Sequence, residues 1–114
     1  MAMSIAEGEM LLTVFLKHDQ SKTMAEISAL RERTGFRDQF PPEGIEVVSW
    51  YVMMGIGQVV TLKLPAHRLR EVNLSVERTA WGAFSTEFYA TYDLKPSWEE
   101  RRQKKLAQDS LGGA

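Results

Sequence analysis

The chain reads as an α+β domain in which strand and helix alternate as βαββαβ, giving a four-stranded antiparallel sheet with two helices on one face. Three observations predict it: four short stretches with β-type patterning, two stretches with helical spacing between them, and a glycine turn joining the middle two strands. The length of 114 residues suits one domain, with residues 1–8 read as a flexible start, 9–94 as the folded unit and 95–114 as a helix with a flexible tail.

The first strand is the apolar run from Met10 to Leu16, ended by Lys17, His18 and Asp19. Thr23 with Glu26 then forms a capping box, in which the hydroxyl takes a free backbone N–H and the carboxylate returns the bond. Met24, Ile27 and Leu30 recur at helical spacing, Arg31 and Arg33 sit where the helix dipole favours cations, and Gly35 suits the C-cap, so a helix is predicted over 21–34. Residues 36–44 hold Pro41 and Pro42 and read as a loop.

Ile45 to Met54 is rich in Val, Trp and Tyr, Gly55 and Gly57 make the turn, and Val59 to Leu64 resumes the pattern as an antiparallel hairpin. After Pro65, Leu69, Val72, Val76 and Ala80 form one apolar stripe and predict a helix over 66–80, stopping near Gly82. Thr86 to Tyr92 alternates and closes the order as a fourth strand; βαββαβ is the ferredoxin-like split βαβ pattern. Beyond Lys95, Ser97 to Glu100 reads as a second capping box, acidic at the start and basic at Arg101, Arg102, Lys104 and Lys105, with Trp98 and Leu106 as sparse apolar anchors.

Composition narrows the function classes. The chain has 14 basic and 15 acidic residues, a net charge of −1, which gives no electrostatic case for nucleic acid or an anionic membrane surface. No apolar run is long enough to span a bilayer, and no leader pattern precedes the first strand, so a cytoplasmic location is expected. With no cysteine, disulfides and thiolate chemistry are absent, which fits a reducing compartment. His18 and His67 stand 49 positions apart with no His-Glu-x-x-His pattern, and Gly55 and Gly57 open no helix that would hold a phosphate. Neither a metal nor a nucleotide cofactor is expected.

The strands are apolar on both faces, whereas two helices cover only one. The opposite face, several hundred Å² by strand dimensions, is larger than a soluble monomer ordinarily leaves bare, and a second copy on a two-fold axis is the expected cover. This order, the two-faced sheet and the length resemble the dimeric α/β-barrel superfamily over about residues 10–93, and the hairpin from Trp50 to Val60 is similar to the GYD-type domain within it. Where that domain carries Gly-x-Tyr-Asp, this chain has Gly55-Ile56-Gly57-Gln58. The resemblance implies a homodimeric barrel. It also implies binding of small, often aromatic molecules between sheet and helices, as in muconolactone isomerase and the cofactor-independent quinone-forming monooxygenases.

Candidate site residues follow from side-chain chemistry. His18, at the end of the first strand beside Asp19, and His67, in the first turn of the second helix, are candidate proton carriers, each with a plain alternative as a solvated histidine. Glu87 lies in a mostly apolar strand, where desolvation would raise its pKa toward acid–base use unless Arg68 or Arg78 pairs with it. Trp50, Tyr51, Arg68 and Tyr89 are the candidate substrate-binding set, with core packing as the alternative for the aromatics. The expectation is one apolar-aromatic pocket near His18, Trp50, His67 and Tyr89 that binds a small apolar or aromatic molecule and supports isomerase or monooxygenase chemistry without a cofactor. The competing expectation is a non-catalytic regulatory or assembly module that acts through its dimer surface.

Overall fold

The computed structural model describes residues 8–112; residues 1–7 of the expected flexible start and the last two residues of the tail lie outside them, while Gly8 is described and its carbonyl accepts from Ala66 N–H at 2.7 Å. The elements run β1 (Glu9–His18), α1 (Met24–Thr34), α2 (Phe36–Gln39), β2 (Glu46–Met53), β3 (Gly57–Pro65), a 3-10 turn (Ala66–Arg68), α3 (Leu69–Thr79), β4 (Phe84–Thr91) and α4 (Lys95–Gly112). The strands form one antiparallel sheet in the order β2-β3-β1-β4, an α+β arrangement compatible with the ferredoxin-like pattern.

Register assigns the faces. Leu12 pairs with Leu62, Val14 with Val60 and Phe88, and Leu16 with Thr86, so these side chains share the face that α1, α2 and α3 cover. Val14, Leu16, Val60, Leu62, Val72 and Val76 are all fully buried there. Burial of a Leu or Val side chain contributes on the order of 1.5–3 kcal/mol, so this layer is the main source of the domain's stability.

Thr23 caps α1 as its sequence predicts: its hydroxyl accepts from Glu26 N–H, and Glu26 accepts from Thr23 N–H. Gly35 ends the helix in the left-handed region. The differences from the sequence reading are local. Helix α1 begins at Met24 rather than 21. The stretch read as a loop carries α2, because Phe36 and Phe40, 4% and 3% exposed, turn inward against Trp50. Pro65 leads into a 3-10 turn before α3 starts at Leu69. Strand β4 starts at Phe84, two residues earlier than its alternation suggests, since Phe84 pairs with His18. In β2 the register shifts between Val47 and Ser49, a bulge that alternation alone does not reveal.

The tail differs most. Asp93 accepts from Lys95 N–H, so α4 starts two residues before the Ser97 box and runs for 18 residues. Every described residue of α4 except Pro96 is exposed. The radius of gyration, 18.7 Å, exceeds the roughly 13 Å of a compact chain of this length, and the longest dimension is 65 Å, because α4 projects from the body.

The face away from α1 and α3 is more mixed than expected. Phe15, Val59, Tyr51 and Tyr89 share it with Thr13, Thr61, Thr91 and Glu87. Its polar groups pair with each other: Thr13 bonds Thr61 at 3.3 Å and Thr91 at 2.7 Å, and Lys17 donates to Glu87 at 2.6 Å.

Candidate functional site: an aromatic cluster with Arg31

The strand ends sort the predicted residues into three places. His18 lies where β1 ends and β4 begins, while His67 and Arg68 lie in the turn after β3, whose end pairs with Glu9 at the opposite end of the sheet. Glu87 and Tyr89 are on the open face. Trp50 pairs with Val60 and so faces the helices, whereas its neighbour Tyr51 points the other way and is 67% exposed. The expected common pocket of His18, Trp50, His67 and Tyr89 is therefore not formed within the chain.

On the open face, Lys17 and then Tyr89 donate to Glu87 and hold its carboxyl below the usual range, while the same bonds raise Lys17 and Tyr89. This is opposite to the upward shift that an isolated buried carboxylate would show. The partner is also not the one expected, because Arg68 is held by Glu71 at 2.7 Å and the Glu43 carbonyl at 2.9 Å. Asp19 is lowered further, by Lys22 and Ser21. Carboxyls with depressed pKa values stabilise the fold above their unfolded values, 4.5 for Glu87 and 3.8 for Asp19, and that contribution is lost as pH falls through the folded values. Chemical denaturation is accordingly expected to show lower stability at pH 3 than at pH 7, and Glu87→Gln to shrink that difference.

The helix-covered side holds a continuous group of rings. Phe36 stacks on Phe40 at 5.3 Å between centroids and meets Phe84 at 5.5 Å and Trp50 edge-on at 6.2 Å; Phe84 in turn stacks on His18 at 5.6 Å. Trp50 keeps its indole N–H satisfied by Gln58 at 2.7 Å. The Arg31 guanidinium carbon lies 6.0 Å from the Phe84 centroid, and its Nη2 donates to Ser28 Oγ at 3.1 Å.

Two clefts open onto this group. One, between α1, α2 and the β2–β3 edge, is lined by Arg31, Phe36, Phe40, Trp50 and Gln58. The other, at the end of β1, is lined by His18, Lys22, Ile56, Gly82 and Phe84. Among the described residues, the buried side-chain nitrogens with no hydrogen-bond partner are His18 Nε2 and Arg31 Nε. Leaving such a group unpaired costs about 1–3 kcal/mol, and both belong to side chains that pack against Phe84. Arg31 also forms no ion pair among the described residues.

Of the candidates drawn from the sequence, His18 and Trp50 thus reach this group. Arg31, Phe36, Phe40 and Phe84 were missed as site residues. Arg31 reads on its own as a helix-end cation, and only the packing of α1 on β4 shows what it faces. Among the described residues no three His, Asp or Glu side chains gather in a way that would hold a metal ion, and no helix is long and apolar enough to cross a membrane. Compared with known proteins, the chain matches no family model, and no curated protein or solved structure is significantly similar to it.

Proposed function

We propose that this chain binds a small planar molecule bearing an anionic oxygen in the cleft between Arg31 and Trp50, and that it does so as a homodimer whose sheets face each other in the manner of a dimeric α/β barrel. The observation that carries the ligand reading is Arg31, a guanidinium with its Nε shielded from water and unpaired, set in a cleft lined by Phe36, Phe40 and Trp50 together with the charged Glu32, Arg37 and Asp38. Aromatic edges and faces accept a flat apolar body, and a guanidinium selects a carboxylate or phenolate at its rim. His18 lines the other cleft and stacks on Phe84, so it is the group available to carry a proton for a molecule turned over on that side of the cluster rather than between Arg31 and Trp50.

Isothermal titration with benzoate and with benzamide tests the binding reading, since the two differ in charge and hardly in shape. Benzoate is expected to bind once per chain and at least about tenfold more tightly than benzamide, a difference of ~1.4 kcal/mol, and Arg31→Met to remove the difference while leaving the circular dichroism spectrum unchanged. Equal affinity for both probes, or benzoate binding that survives Arg31→Met, would overturn it.

The alternative, an assembly module acting through its surface, is favoured by one specific observation: the projecting α4, which does nothing for its own protomer's core.

A further inference from the structure

We propose that α4 is a dimerisation arm that lies on the second copy of this chain, so that arm and open sheet face together form one interface. The proposal rests on the homodimer reading above and adds to it the element that completes the contact.

Helix α4 is solvent-exposed along its length, with Trp98 at 53%, Leu106 at 51% and Leu111 at 83% exposure. Most helical stability in proteins comes from tertiary packing of one face, and the described residues of α4 bury none of theirs in their own core. Its charges are sorted. Glu99 pairs with Lys95 and Glu100 with Lys104 on the helix itself, which leaves Asp109 as its acid without an ion pair among the described residues. Arg101, Arg102 and Lys105 have no ion pair among the described residues and share one groove with Leu94 and Trp98, where Arg102 lies 5.4 Å from the Trp98 ring. This aromatic and basic side needs an acidic, partly apolar acceptor.

A second copy is complementary to it in net charge. Residues 95–114 hold five basic and three acidic residues, net +2, whereas residues 1–94 hold nine basic and twelve acidic residues, net −3. Basic arm and acidic body attract each other in a pair of copies.

Area points to the same occupant. Four strands of eight to ten residues present a face of about 500 Å², short of the roughly 800 Å² per partner of a standard interface. A helix of 18 residues adds a strip of about 270 Å², which brings the sum to that size. The face is ready to be covered, because the Thr61–Thr13–Thr91 and Lys17–Glu87–Tyr89 sets satisfy each other and burial strands few donors.

Native mass spectrometry and light scattering on the full chain, across a dilution series and at two salt concentrations, test the arm. The wild type is expected to be a dimer that weakens with salt. Both Trp98→Ala with Leu106→Ala, and charge reversal of Arg101, Arg102 and Lys105 to Glu, are expected to raise the dimer dissociation constant by roughly thirtyfold, about 2 kcal/mol at 1.4 kcal/mol per tenfold. Because α4 lies outside the core, these variants are expected to keep the wild-type strand signal in circular dichroism. A dimer whose dissociation constant is unchanged in both arm variants overturns the arm and leaves the homodimer standing. A wild type that is monomeric at 100 µM protein, roughly a hundredfold above a micromolar dissociation constant, overturns both. Loss of binding to phosphatidylserine vesicles in the arm variants, with dimerisation unaffected, would assign α4 to a membrane surface instead and equally overturns the arm.

Discussion

Gly57→Ala is expected to cost at least about 3 kcal/mol of folding stability, in the range reserved for severe backbone and packing defects. Gly57 opens β3 at φ 151°, and a Cβ there would run into the Leu16 carbonyl oxygen and stand 2.9 Å from Lys17 Cα. The obstacle is backbone of the central strand β1, which cannot swing aside as a flexible side chain would. Relief would require parting β1 from β3 where Gly57 pairs with Lys17, next to the Leu16–Gln58 pair. Urea denaturation of the two proteins measures the cost. Gly55→Ala is the internal control: its φ of 76° also suits glycine, but nothing lies within 4 Å of the added carbon, so only conformational strain of about 1 kcal/mol is expected. Equal losses at the two positions would mean that the close approach of β3 to β1 is not what Gly57 provides.

These two glycines also show how far the sequence could be read. That Gly55 and Gly57 mark a turn between strands follows from patterning alone, and the hairpin is there. That one of them is irreplaceable depends on which strand runs beside it, and β1 is 40 positions away in the chain. The same division runs through the rest of the fold. Thr23, Glu26 and Gly35 announce α1 because capping is local, involving residues three apart or a single backbone angle. Phe36 and Phe40 gave no such signal: five residues between a glycine and two prolines lack periodicity, and α2 exists because the two rings pack on Trp50 from the neighbouring layer. Tertiary packing overrides propensity in so short an element.

The candidate site divides in the same way. Residue chemistry singled out His18 and Trp50, and both reach the aromatic cluster. It also singled out Glu87, for which alternation decides the face but not the partner. Lys17 meets it only because β1 pairs with β4 in the register that sets Phe15 opposite Glu87. Arg68 was drawn toward Glu87 by charge alone and is taken up by Glu71, one turn away, a local pair that spacing of three residues favours.

Phe84 is the residue at which stability and the proposed function meet, and its substitutions are expected to separate them. Its ring is 5% exposed, contacts Phe36, stacks on His18 and receives the Arg31 guanidinium. Phe84→Ala removes that volume from a filled core and is expected to cost about 3–5 kcal/mol, the usual range for truncating a buried phenylalanine. Such a loss by itself speaks only for packing. Phe84→Leu keeps most of the apolar volume, at an expected cost of about 1–1.5 kcal/mol, but offers no ring face to a cation or an imidazole. If Phe84 holds Arg31 where a ligand meets it, Phe84→Leu weakens benzoate binding severalfold in a protein that remains folded, and affinity for benzamide stays where it was. Benzoate affinity unchanged in Phe84→Leu would reduce Phe84 to a core residue and confine the binding site to Arg31 and the Trp50 side of the cleft. The charge-selective outcome is the informative one, because cavity formation would disturb both probes alike, whereas a displaced guanidinium is felt only by the anion.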